Sequence, residues 1–191
     1  PKWGPLYSDS NGVMYEWAQA FDADSVNCRY SGDCALEKSG ANLQGLCPAG
    51  WNIPADMQWE SLVKWAAQGG ADSSGATRLR SRIGWNWFQY MGAIFNAPGT
   101  DDWGFGVRPN YYYGNAGDPM TGGSGRYWAS AFANTPDPTS STYGRFFADF
   151  SVTGSERNGY WNTFTVWGMD AQRYFQTYSV RCVRNAPPGQ W

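Results

Sequence analysis

Four cysteines, sixteen carboxylates and no histidine bound the chemistry open to this 191-residue chain. The missing histidine removes Ser-His-Asp and Cys-His nucleophile activation, every histidine-containing zinc site and the usual general base near neutral pH. Thiols and carboxylates remain. Cys28-x5-Cys34 is spaced too widely for a CxxC redox or zinc half-site, and an even count favours two disulfides. Cys182 sits in Tyr178-Ser179-Val180-Arg181-Cys182-Val183-Arg184. There Tyr178, Val180 and Cys182 alternate with Ser179, Arg181 and Val183, the pattern of a strand with one buried face. Its thiol is therefore expected in the core, and its obvious partner is Cys47 of Cys47-Pro48-Ala49-Gly50-Trp51-Asn52-Ile53-Pro54. Closing so long a loop stabilises by about 5 kcal/mol in the chain-entropy model when the geometry is unstrained. Cys28 with Cys34 is the companion pair, buried free thiols being the alternative for those two. Disulfides need an oxidising compartment and imply export. With no leader at Pro1, the chain is expected to be processed or cut from something longer.

The carboxylates point to no reaction. Asp149, Glu156 and Asp170 could pair for glycoside hydrolysis, but only their separation in space would make a pair informative. The acidic clusters, Asp22-Ala23-Asp24 and Asp101-Asp102, lack the spacing of an EF-hand loop. A structural calcium held by Asp101 or Asp102 with backbone carbonyls stays open. Gly122-Gly123-Ser124-Gly125-Arg126 lacks the Lys-Ser/Thr ending of a phosphate loop and reads as a turn entering a strand. The expectation is no catalytic residue, no metal and no cofactor.

Composition directs attention to rings instead. Aromatic residues reach 18% and charged residues only 16%, so recognition through flat amphipathic faces is favoured. A net charge of −2 and a pI near 5.0 offer no basic field to a phosphate backbone, which excludes nucleic acid as a partner. No apolar run approaches the roughly 20 residues of a membrane helix. The length suits one domain over 1–191, with a core at about 14–185 and a tail at 186–191.

Two helices should position these groups. Met14, Trp17, Ala18 and Phe21 fall at i, i+3, i+4 and i+7, an apolar helical stripe ending near Asp22. In the second, Asp56 is expected as N-cap, Trp59, Leu62, Val63 and Ala66 form the stripe, and Gly69-Gly70 supplies the stop. Core packing is the default role of Trp17 and Trp59. From Gly84 onward helical periodicity vanishes. Turn formers separate candidate strands near 126–132, 144–152, 160–167 and 174–184, with long loops between 97 and 125 and an edge strand from Pro1–Tyr7. Helices first and an antiparallel sheet after make the class α+β.

Five blocks invite a comparison: Met14-Tyr15-Glu16-Trp17-Ala18-Gln19-Ala20, Gly45 to Pro54 running into Trp59 and Leu62, Asp102-Trp103-Gly104-Phe105-Gly106, Trp128-Ala129-Ser130, and Ser179 to Arg184. In these blocks, and over about residues 14 to 185, the chain resembles the Fibrobacter succinogenes major paralogous domain. The resemblance implies a bacterial extracytoplasmic domain with a C-type-lectin-like fold, distantly similar to formylglycine-generating enzymes. It does not carry their chemistry, which needs a reactive cysteine pair where these cysteines are committed to structure. The calcium-dependent sugar motifs of true C-type lectins, Glu-Pro-Asn or Gln-Pro-Asp followed by Trp-Asn-Asp, do not occur.

Lectin-like folds build their ligand face from the last strands and the loops between them, which maps here to roughly residues 126 to 178. Along Tyr160 to Trp167, alternation sends Tyr160, Asn162, Phe164 and Val166 to one face and Trp161, Thr163, Thr165 and Trp167 to the other. One set should be core and the other exposed. Three consecutive rings at Tyr111-Tyr112-Tyr113 cannot all point inward, and Trp85, Asn86 and Trp87 make a similar case. The expected combining face is Tyr112, Trp128, Phe132, Tyr160, Trp161, Trp167, Asp170, Arg173 and Tyr174. The reading is an extracellular or cell-surface recognition module, adhesin-like, binding a glycan or surface protein without calcium. Two alternatives stand beside it: a structural subunit of a surface fibre or envelope assembly, and a hypervariable ligand-binding protein of a diversity-generating retroelement, which the same scaffold resembles.

Overall fold

The alternating runs of the second half pair into long antiparallel ladders, and shorter elements from the first half add to their edge and faces. A computed structural model of the chain describes residues 7–9, 12–21, 43–70, 72–88, 94–96, 98–110, 124–130, 145–155, 159–168 and 177–184. Among these residues the architecture is α+β. Strand β1 (Tyr7–Asp9) is followed by β2 (Gly12–Glu16), helix α1 (Trp17–Ala20) and β3 (Trp51–Asn52). Helices α2 (Asp56–Ala67) and α3 (Asp72–Leu79) come next, then β4 (Asn86–Phe88) and β5 (Ile94–Asn96). The chain continues through β6 (Ser124–Ser130), β7 (Arg145–Ser155), β8 (Gly159–Gly168), β9 (Thr177–Ser179) and β10 (Val183–Arg184).

The main sheet has six strands in the order β1-β2-β9-β6-β7-β8, and β3 pairs with β10 and β4 with β5 in two small ladders. All pairings are antiparallel except that of β6 with β9, which rests on the single bridge Tyr127↔Ser179. The three late strands that turn formers delimit at 126–132, 144–152 and 160–167 thus appear as β6, β7 and β8. The edge of the main sheet is β1 (Tyr7–Asp9); of the edge strand expected over Pro1–Tyr7 only Tyr7 lies among the described residues.

Four local expectations need correction. Met14 lies in β2, not in a helix, because Met14, Tyr15 and Glu16 pair with Ser179, Tyr178 and Thr177 of β9. The apolar stripe is nonetheless buried, with the strand supplying Met14 and the single turn of α1 supplying Trp17 and Ala18. At the start of α2 the N-cap is Ala55: the Gln58 side-chain oxygen accepts its N–H at 2.9 Å, and Asp56 is the first helical residue. At the other end Gln68 itself takes the left-handed conformation at φ 52° ahead of Gly69. The final strand is not continuous. It leaves the main sheet after Ser179 and resumes as β10 against β3, because Cys182 is bonded to Cys47 four residues before Trp51. The polar helix α3 had no counterpart in the sequence reading.

Two apolar clusters occupy opposite faces of the main sheet. On one face Trp59, Val63 and Ala66 of α2 and Ala76 and Leu79 of α3 pack with Trp85 and Val107 onto Tyr127, Ala129, Ala148 and Phe150. On the other, Trp17, Ala18, Ala20 and Phe21 meet Cys47 and Ile53 over Trp128 and Tyr178. Successive residues of β6 therefore serve different clusters, as a period of two requires. The Cys47–Cys182 disulfide closes the second cluster, with the Cα atoms 5.7 Å apart across a sequence separation of 135. Cys28 and Cys34 lie outside the described residues.

Candidate functional site

Residues 98–110 form an irregular segment made rigid by the end of α3. A helix leaves its last carbonyls without intrahelical donors. Here the segment supplies them: Thr100 N–H donates to the Thr77 carbonyl at 2.9 Å, Asp102 N–H to Arg78 at 3.0 Å and Val107 N–H to Leu79 at 2.9 Å. The turn in between is tied internally. Asp101, at φ 50°, accepts the Gly106 N–H on its carboxylate at 2.8 Å, and its carbonyl accepts the Gly104 N–H at 3.2 Å. Trp103 is carried at the tip of that turn.

Arg78 joins this turn to α2. Its guanidinium donates to the Ala66 carbonyl at 3.1 Å and to the Gln68 side chain at 2.8 Å, while its Nε lies 3.5 Å from the Asp102 carboxylate. The consequence is a pair of indoles. Trp65, on the outer side of α2, meets Trp103 with ring centroids 4.6 Å apart and planes tilted by 47°. Both are solvent-facing, Trp65 at 58% and Trp103 at 42% exposure, and Met57, two turns earlier on the same row of α2, is exposed as well. Trp59 on the same helix is 1% exposed. At about 100° per residue, six positions turn the chain by about 240° beyond a full turn, which separates a core ring from a surface ring. Exposed apolar patches of large rings mark interaction surfaces, and indoles bind through flat faces while keeping an N–H for a polar partner. The carboxylates of Asp101 and Asp102 are engaged by the Gly106 N–H and by Arg78, and among the described residues no three His, Cys, Asp or Glu side chains converge as for a metal.

The expected combining face is placed unevenly. Trp128 is not on a surface: it is 1% exposed, its indole N–H donates to the Tyr15 carbonyl at 2.8 Å, and its ring lies 4.5 Å from that of Tyr178. A tryptophan on a strand buried by elements on both faces has no route to solvent. Trp85 is buried too, with its N–H shared between Ser81 and Val107. Tyr160, Trp161 and Trp167 lie on β8, the far edge strand. By register Phe164 and Val166 oppose the buried Phe150 and Ala148, so Tyr160 shares their parity and Trp161 and Trp167 the alternate one. Tyr112, Phe132, Asp170, Arg173 and Tyr174 lie outside the described residues.

Trp65 and Trp103 were absent from the sequence reading of the site. A signal existed, since Trp65 falls off the Trp59, Leu62, Val63, Ala66 stripe and Trp103 sits between Asp102 and Gly104 in a turn. Neither fact shows that the two rings meet, which Arg78 decides. A family model described as the Fibrobacter succinogenes major domain matches residues 4–184. Comparison with curated proteins and with solved structures finds no match.

Proposed function

We propose that this chain, which belongs to the Fibrobacter succinogenes major domain family, is a non-catalytic recognition module of an exported protein. It binds a glycan or a protein surface through exposed aromatic rings and without calcium. The observation that supports this reading is the Trp65–Trp103 pair, two large apolar rings exposed to solvent, one of them carried by a turn whose Asp101 and Asp102 carboxylates are engaged by the Gly106 N–H and Arg78. Export agrees with the Cys47–Cys182 disulfide. No helix among the described residues is long and apolar enough to cross a membrane. A C-type-lectin-like fold belongs to the same reading, drawn from the resemblance. The sheet with helices on it and a bond fastening the terminal strand agree with it.

The test is a screen of glycan and bacterial-surface binding with and without chelator, using the native chain, Trp65→Ala and Trp103→Ala. Binding that persists in chelator and is lost in both variants supports the reading. Binding abolished by chelator, or indifferent to both substitutions, rejects it. The fibre or envelope-subunit reading uses the same exposed row of Met57, Trp65 and Trp103 as a contact between copies. Self-assembly in dilute solution, measured as mass, separates that outcome from a monomer that binds a ligand.

A further inference from the structure

Where β9 leaves the main sheet, a groove of about 370 Å³ opens between β2, β9 and the 98–110 segment. Its origin is topological. β6 and β9 share one bridge and diverge beyond it, and the buried Asn110 side chain spans the split, donating to the Ser179 hydroxyl at 3.0 Å and accepting the Arg126 N–H at 2.8 Å. It is lined by Tyr15, Leu46, Tyr127 and Val180, and by the charged residues Arg108 and Arg181. Among the described residues no carboxylate lines it. The Asp101 carboxylate is turned onto the Gly106 N–H.

The two arginines are differently placed. Arg181 is pre-oriented: its ring-stacked guanidinium lies 4.3 Å from the Phe105 centroid and donates to the Phe105 carbonyl at 2.6 Å, which leaves further N–H donors on the planar fork. Arg108 is exposed, and its side chain makes no hydrogen bond among the described residues, while its backbone N–H and carbonyl are both held by the Tyr127 hydroxyl at 3.1 Å. Both cations act on Tyr127. Burial raises the pKa of that phenol, and the charges of Arg181 and Arg108 oppose the rise. Two cations with no acidic partner among the described residues, lining one groove together with Tyr15, Leu46 and Val180 on a chain of net charge −2, make a receptor for one anionic group carried on a body that can lie against those side chains.

We propose that this groove binds an acidic saccharide, the sugar carboxylate bridging the guanidiniums of Arg108 and Arg181 and the ring lying against Tyr15 and Leu46. The proposal goes beyond the recognition reading and does not use the tryptophan pair, so either can fail alone. Titration calorimetry of the native chain with D-galacturonate, D-galactose and inorganic sulfate tests it. Galacturonate is expected to bind at least tenfold more tightly than galactose, which lacks the charge, and than sulfate, which lacks the ring. Arg108→Ala, which removes no described internal contact, should weaken galacturonate at least tenfold and leave the fold intact by circular dichroism. Ile83→Ala, at an exposed residue that lines neither the groove nor the tryptophan pair, should leave it unchanged. No binding of galacturonate, equal binding of galactose or sulfate, or full affinity in Arg108→Ala overturns the proposal.

Discussion

The two faces of the main sheet are held by different means. On the helix face, a twelve-residue helix, an eight-residue helix and long ladders bury Trp59, Val63, Leu79, Tyr127 and Phe150 together, and no described disulfide lies there. On the other face, α1 has four residues and β3 and β10 two each, and the cluster is closed by Cys47–Cys182. Short elements bury too little area to order themselves, since hydrophobic gain scales with area while each residue costs backbone entropy. A covalent link relieves that deficit by restricting the unfolded chain. The staple and the helices are two solutions to one problem.

The sharpest break in this contrast is to remove the staple. Cys47→Ala with Cys182→Ala should lower stability by about 5 kcal/mol, from the closure entropy of so long a loop, read as a fall in the urea midpoint. Hydrogen exchange should show amides of α1 and β3 losing protection while those of α2 and β7 keep theirs. Uniform loss across both faces would mean that the clusters form one cooperative unit. Next in size is Trp59→Ala, which empties the centre of the helix face where Trp59 touches Tyr127, Phe150 and Phe105. A loss of about 3–5 kcal/mol is expected, and a value under 1 kcal/mol would show that helices do not anchor this face.

Smaller effects sharpen the picture. Gly75→Ala would set a Cβ 2.1 Å from the Val63 carbonyl, so α2 and α3 must separate. About 1–3 kcal/mol should be lost, and an unchanged thermal midpoint would show that the contact is dispensable. Least costly to the fold is Trp103→Ala, because the ring is exposed and its turn is held by backbone and by Asp101. Stability should change by less than about 1 kcal/mol while binding to glycan or cell surface is lost. A larger destabilisation would make the ring structural and remove the support it lends to recognition.

Much of this contrast was legible in the residues. The alternation around Cys182 placed its thiol in the core, with Cys47 as its expected partner, because a period of two needs no tertiary knowledge. Trp17 and Trp59 were core by the same reasoning, and the late strands followed from turn formers flanking aromatic runs. Other features were not legible. Met14 to Glu16 satisfies helical spacing as well as strand spacing over so short a run, and pairing with β9 resolves the ambiguity. Trp128 looked like a ring near a binding face, yet the Tyr15 carbonyl and Tyr178 enclose it.

By itself the sequence determined the α+β class, the buried face that carries Cys182 and the abundance of rings, since these follow from residue type and short-range periodicity. Only the tertiary structure decided which rings reach solvent and where cations gather. Arg78 brings Trp65 to Trp103, and where β6 diverges from β9 Arg108 and Arg181 line one groove. Both arrangements join residues far apart in the chain, and no local pattern encodes a juxtaposition whose two sides lie on different elements.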